Sequence, residues 1–580
     1  MKPILKTFTI VAAASLATLT AQAKGTWTLQ GVTYETDTVS HYQVGPGTTM
    51  TVIDLKGSVK LRAFYTVTDL DDPNVEVRTL CGKNNKFSAQ TIPDMVANSN
   101  DNEYIYFAGV NSDLFNYSTS APIGTTIVNG EIWKIAKDAD NTWYSVGFDS
   151  DDNTLHFGQP SVIFQGRTDN GIMAAPKYVN AARGTNECVL YSSHFGSKTG
   201  TDAGGLEVAF ERVNTGLMAS GTTQLRVTGT SSTEGNMSIP SMGYVISSTN
   251  TTYNKYLATL KSGDIVYYTP TFYSNPGGMT NYTFTMLGQM SGGNPIILLD
   301  GEITNTDSAL DHLKTRRPRT SLGVDATGKK MVLMVVEGDA INSSVSAGVV
   351  SKDLAAMMKA VGCSTAINFD GGGSSIMYTS PLGVLNNPSD GSYRKVSNGW
   401  FVATRDKGDT TVASIKFLDT RLNIDKNTQY TPVIYGYNAA GLLVDTKVTD
   451  YTLSCPAELG TVSTDGKTLV ASGTGLHALT AKVGTMTATV PVYINGTNSV
   501  DAIGADTNTF ALRANIICRG TDVSATVAAG GRVDIFNMSG AIVASTTATG
   551  AGDITLPTAS LATGHYIVRS GSAALRLVVK

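Results

Sequence analysis

The chain has 580 residues, 41% hydrophobic and 16% charged, with a formal net charge of −4. That length exceeds one ordinary core and predicts roughly two to four domains. A charged fraction below the ~25% usual in soluble proteins, together with 59 glycines, fits a β-rich extracellular protein, and the mild charge gives no reason to expect nucleic acid as a partner.

The first element is a targeting segment. Lys2 and Lys6 form a basic start, Ile10 to Leu19 an apolar run, and Ala21-Gln22-Ala23 a small-residue cleavage site. Residues 1–23 therefore read as a removed secretory signal peptide, and the protein is expected to be secreted: periplasmic, cell-surface or extracellular. No cysteine follows the cleavage point, which argues against a lipid anchor, and no later apolar run reaches 18 residues, so no transmembrane segment is expected. The five cysteines lie far apart without C-x-x-C spacing and read as small buried hydrophobes. The histidines show no H-x-x-x-H spacing, so no metal site and no cofactor are expected.

From Lys24 to about 408 the pattern mixes alternating strands with a few helical stretches, an α+β class. Ser321–Asp325 and Lys330–Val336 read as strands joined by an Ala326-Thr327-Gly328 turn. The second is apolar on both faces, so it is expected to be central, and it ends at Glu337. Leu354, Met357, Met358 and Val361 fall at i, i+3, i+4, i+7, a helix with Ser351 as expected N-cap and Gly362 just past its end. Thr365–Phe369 then reads as a buried strand, which puts Asp370 at a strand's C-terminal end, where open α/β sheets bind ligands. Residues 409–497 are short alternating strands split by Gly, Asn and Asp turns, the pattern of an immunoglobulin-like sandwich. Residues 498–580 read as a linker plus a small β unit carrying V-D-I-F-N, A-I-V-A-S, G-H-Y-I-V-R and L-R-L-V-V-K. A fragment of residues 24–408 is expected to fold alone, since interfaces between domains are usually small.

The stretch A-I-N-F-D-G-G-G-S-S at 366–375 is the strongest candidate for chemistry. Glycine weakens regular elements and is used where φ is positive or something must approach closely. Successive N–H groups of Gly371, Gly372 and Gly373 can converge into an anion nest, with Ser374 and Ser375 adding donors and Asp370 a carboxylate. The same stretch also fits a tight structural turn. It is neither a Walker A loop, since no lysine follows, nor a dinucleotide fingerprint.

The surrounding segments are R-P-R-T-S-L-G-V-D at 317–325, V-V-E-G-D at 335–339, N-P-S-D-G at 387–391 and R-K-V-S-N at 394–398. Upstream lie V-N-S-D-L-F at 110–115, A-P-I-G-T-T-I-V-N-G-E-I at 121–132 and G-G-N-P-I-I-L-L-D-G-E-I at 292–303. In this order they resemble the phosphodiester glycosidase family, over about residues 100–405. Leu114 stands where the family has an aromatic residue, and Glu337 where it has aspartate. The resemblance implies cleavage between a sugar anomeric carbon and a phosphodiester, with a carbohydrate phosphodiester as partner. It implies Asp370 as nucleophile, base or oxocarbenium stabiliser, Glu337 as second choice, and Arg319 on the phosphate. Asn111, Asp113, Asn368, Ser397 and Asn398 are the expected pocket polars, beside the loop glycines and serines. A non-catalytic carbohydrate-binding or surface polysaccharide assembly protein is the alternative. The C-terminal unit resembles sorting domains of type IX secreted bacterial proteins, which implies secretion machinery as a partner.

Overall fold

The computed structural model describes residues 25–99, 103–137, 143–275, 282–304, 311–338, 344–405, 409–495, 511–512, 516–527, 531–537, 541–549, 552–570 and 573–580. The expected signal peptide, 1–23, lies outside the described residues. Contacts divide the chain into two units, Met1–Ile494 and Asn495–Lys580.

The first unit is organised around a nine-stranded antiparallel sheet. Its order is Thr26–Leu29, Val32–Gly45, Thr48–Lys56, Lys60–Asp69, Lys330–Val336, Arg319–Val324, Thr365–Asn368, Ile296–Leu299, Glu302–Ile303. Lys330–Val336 is central, as its apolar run predicts. Met331, Leu333 and Val335 pack into one core, while Val332, Met334 and Val336 pack into another on the opposite face. The second core is closed by the helix Ser351–Ala360, whose Leu354, Met357 and Met358 are fully buried. The first is closed by a five-stranded sheet containing Met377–Thr379, Ile105–Asn111, Asn398–Thr404 and Glu76–Cys81.

Three expectations are corrected here. Ser351 is the first helical residue and the N-cap is Val350, which makes no side-chain cap bond. Gly362 sits just past the helix at φ +99°, as expected. The sheet is antiparallel, so the strand-end rule of open α/β sheets does not explain the site. Among the described residues there are only three α-helices, Ile92–Ala97, Thr251–Leu257 and Ser351–Ala360, so the region is β-rich and α+β overstates its helical share.

A 13-stranded sheet with its own core around Phe210, Leu225, Tyr268 and Phe272 supplies the strand Leu287–Gly293, whose last residue, Gly293, packs against Asn368 and Phe369. Residues 414–494 are all β, in three small sheets around Leu459, Leu469, Leu479 and Val492. One edge of this region merges with the nine-stranded sheet. Tyr435, Tyr437, Leu442 and Leu443 share a core with Tyr42, Val44 and Met50, and the Tyr437 hydroxyl donates to the Gln43 carbonyl at 2.9 Å. Packing is continuous past residue 408, so the fragment expected to stand alone would lose part of its core.

The second unit has a five-stranded sheet, Ile516–Ile517, Ala573–Val579, Gly564–Ser570, Arg532–Asn537 and Ile542–Thr547. Four of these contain the apolar runs read from the sequence. Val523–Val527, inside the expected linker, is instead a strand of a second, three-stranded sheet. Three cysteines, Cys81, Cys188 and Cys363, are buried, Cys455 is intermediate and Cys518 exposed, and all five are thiols. No described helix is long and apolar enough to cross a membrane.

Candidate functional site

Strand ends from both sheets converge on one loop. Ser321 pairs with Asn368, and the Phe369 N–H continues that register to the Thr320 carbonyl at 2.9 Å. Gly372 N–H then reaches the Pro318 carbonyl at 2.9 Å. On the other side the Asp370 N–H donates to the Ser112 carbonyl at 2.8 Å. Asn111, fully buried, completes the stitching. Its Nδ2 donates to the Asp370 carbonyl at 2.7 Å, and its Oδ1 accepts from the Thr320 hydroxyl at 2.8 Å and the Ile376 N–H at 3.2 Å. Backbone and side-chain bonds from two sheets therefore fix Asp370.

The loop borders a cleft of about 300 Å³. Arg319, Asn368, Asp370, Gly371, Gly372 and Gly373 line it, as do Leu114, Phe369, Arg317, Ser389, Asp390 and Arg394. Gly372 has φ +63°, and a Cβ there would meet open space, so the position needs glycine for its conformation. Gly373 is needed for room: its Cβ would lie 2.1 Å from the Asp390 carboxylate.

Burial pushes the Asp370 carboxyl above the usual carboxylate range, against the Ser374 hydroxyl, the Arg394 charge and the Gly371 N–H, which all favour the anion. Gly372 N–H serves the Pro318 carbonyl, so that donor does not join the expected nest. Positive charge comes from side chains instead. Arg319 is 2% exposed, donates from Nε to the Val349 carbonyl at 2.9 Å and from Nη2 to the Thr315 carbonyl at 2.9 Å. Desolvation and the neighbouring Arg317 pull it down to about 10, which leaves it charged at neutral pH. Arg394 grips Asp390 through two bonds of 2.7 and 2.9 Å and reaches the Ser374 hydroxyl with Nη1 at 3.4 Å. The amide Nδ2 of Asn368 donates to the Asn294 carbonyl at 2.9 Å, while its buried Oδ1 has no hydrogen-bond partner among the described residues.

The remaining sequence-derived candidates lie behind the cleft. Asp113 is 1% exposed, accepting from the Trp143 indole at 2.9 Å and the Gly124 N–H at 2.7 Å. Burial, with a smaller push from the Asp370 charge, raises it to about 6. Asn398 orients this segment by accepting from the Ser112 hydroxyl at 2.9 Å and the Asp113 N–H at 3.1 Å. Ser397 donates to the Ser120 carbonyl at 2.7 Å. The hydroxyl of Ser375 is buried away from the cleft lining. Glu337 is 1% exposed and also lies outside the lining. Its Oε1 accepts from the Asn387 N–H at 2.6 Å, and burial raises its carboxyl. It ties down the loop that carries Ser389 and Asp390.

Arg317, Asp390 and Arg394 were not among the residues singled out from the sequence. Each stands inside a segment that was, R-P-R, N-P-S-D-G and R-K-V-S-N. Their cationic and acidic character beside the D-G-G-G loop was the available signal.

Comparison with known proteins adds context to this geometry. Among solved structures, the chain is similar to a hypothetical protein from Synechocystis at 18% identity, covering 62% of each chain with a TM-score of 0.47. A Burkholderia pseudomallei protein described as exported shares 16% identity, over 60% of this chain and 75% of that one, at TM-score 0.45. The catalytic domain of zebrafish N-acetylglucosamine-1-phosphodiester alpha-N-acetylglucosaminidase, auto-inhibited by its pro-peptide, shares 14% identity over 64% of this chain and 87% of that one, at TM-score 0.30. The chain thus spans less than two thirds of the Synechocystis protein. No curated protein matches it. Residues 212–403, which hold every residue of the cleft lining except Leu114, match the phosphodiester glycosidase family.

Proposed function

We propose that the cleft hydrolyses the bond between the anomeric carbon of a sugar and a phosphodiester. The observation that carries this reading is Asp370 on one cleft wall together with Arg317, Arg319 and Arg394. The family match over 212–403 supports it at the level of reaction class. In the reaction the C1–O bond breaks, its electron pair leaves with a phosphomonoester, and water supplies the new C1–O bond. The leaving group's second pKa is about 6, so it needs far less protonation than a sugar alkoxide. Guanidinium groups hold the departing phosphate, because their planar fork matches two phosphate oxygens. Asp370 faces the anomeric carbon, where its charge stabilises the cationic transition state and its raised basicity suits it to take the proton of water. Asn368, on the cleft lining, serves the sugar.

The basic, apolar, A-x-A start at residues 1–23 supports a secreted enzyme, acting on a glycan or envelope polymer. The alternating strands of 414–494 fit an immunoglobulin-like accessory, and the C-terminal β unit a sorting signal. The test is product analysis of the purified protein against a panel of sugar-1-phosphodiesters, beginning with N-acetylglucosamine 1-phosphodiesters. Release of free sugar and phosphomonoester, abolished in Asp370→Asn, is expected. Binding without release would instead identify a carbohydrate-binding or polysaccharide assembly protein.

A further inference from the structure

We infer that a second binding site, for one glycosyl phosphate unit, lies beside the Asp370 cleft in the cavity walled by Trp143; the inference rests on the glycosidase reading of that cleft. The cavity measures about 190 Å³, room for about six waters at ~30 Å³ each, the scale of one monosaccharide. Trp143, Tyr178, Lys137, Lys177, Gln159 and Gly124 line it.

Two observations tie this cavity to the cleft. Asp113 accepts hydrogen bonds from both Trp143 and Gly124, which fixes two of the walls. Leu114, the next residue, lines the Asp370 cleft. Asp113 and Leu114, adjacent in the chain, therefore link a wall of the cavity to a wall of the cleft, an arrangement suited to a polymer with its scissile bond at Asp370 and its neighbouring unit at Trp143.

The lining chemistry names the ligand. Aromatic rings stack on the C–H face of a pyranose, and an indole whose N–H is fixed by Asp113 presents its ring in one orientation. The ammonium groups of Lys137 and Lys177 stand 5.7 and 5.4 Å from the Tyr178 ring centroid. Lys137 also pairs with Glu187 at 2.7 Å, which holds it at the wall. Lysine binds phosphate as a point charge, and Gln159 offers both donor and acceptor to sugar hydroxyls.

The experiment titrates the full chain with α-N-acetylglucosamine 1-phosphate, read by calorimetry and tryptophan fluorescence. Lys177→Ala, at an exposed position, and Gln159→Ala, at a half-buried one, are compared with Arg394→Ala, each with its melting temperature measured. Two binding events are expected in the unmutated protein. Lys177→Ala weakens one by about tenfold, the scale of one charged hydrogen bond, Gln159→Ala weakens the same one by about fivefold, the scale of a neutral one, and both leave the other, which Arg394→Ala weakens. A single event, lost in Arg394→Ala and untouched by Lys177→Ala, overturns the second site. A Lys177-sensitive event in a protein that hydrolyses none of the diesters supports the second site and overturns the glycosidase reading.

Discussion

Asp113 offers the sharpest test of the buried network behind the cleft. Its carboxyl is raised from an ordinary 3.8 to about 6, chiefly by desolvation. The folded state therefore holds this proton more tightly than the unfolded chain does. Between about pH 4 and pH 6 the native protein binds more protons, so the stabilisation is fully present below the unfolded value and is lost as pH rises through the folded one. At 1.36 kcal/mol per pH unit that separation corresponds at most to about 3 kcal/mol. Asp113→Asn removes the titration. It also turns an amide NH2 toward either the Trp143 or the Gly124 donor, which adds a pH-independent penalty of about 1–3 kcal/mol. Slope and offset thus separate. Urea unfolding at pH 4, 5, 6 and 7 would be followed by tryptophan fluorescence, and all four tryptophans, Trp27, Trp133, Trp143 and Trp400, report on the first unit. The unmutated protein should lose about 2.4 kcal/mol relative to the variant between pH 4 and pH 7, because at pH 4 the unfolded carboxyl is already partly ionised. Parallel stability curves would refute the assignment of a raised, buried carboxyl at this position.

Asp370→Asn should leave melting unchanged and cut phosphomonoester release by more than about tenfold, since charges facing a cationic transition state contribute several kcal/mol; near-normal turnover in a stably folded variant would remove Asp370 from the chemistry. Gly373→Ala should displace Asp390 and with it the Arg394 fork, raising KM more than it lowers the melting temperature; an unchanged KM would mean the pair plays no part in binding. Arg317→Met, at an exposed position, should weaken product-phosphate affinity without loss of stability, whereas Arg319→Met should lower both, because it leaves the Val349 and Thr315 carbonyls without these donors. Ending the chain after Arg405 should uncover Tyr42, Val44 and Met50 and cost several kcal/mol, at ~1.5–3 kcal/mol per large apolar side chain; a fragment melting like the full chain would show that the shared core contributes little.

The sequence by itself determined the elements whose signals are local. The two-faced apolar run of Lys330–Val336 could only be a central strand, and the i, i+3, i+4 stripe of Leu354, Met357 and Met358 could only be a helix with one buried face. Glycines at 371–373 marked a loop of special conformation, and Gly372 has the positive φ this requires. Tertiary structure alone decided the direction of the sheet and the loop's hydrogen bonds. Whether Gly372 points its N–H group at a ligand or at the protein depends on where Pro318 falls, and Pro318 lies more than 50 residues away in sequence. Long-range placement likewise drew Arg317 and Arg394 to the cleft and set Asp113 and Asn111 behind it, with Glu337 also off the lining. Charge and residue type are written in the chain, but which carboxylate is desolvated depends on what packs over it, and that is a property of the whole fold.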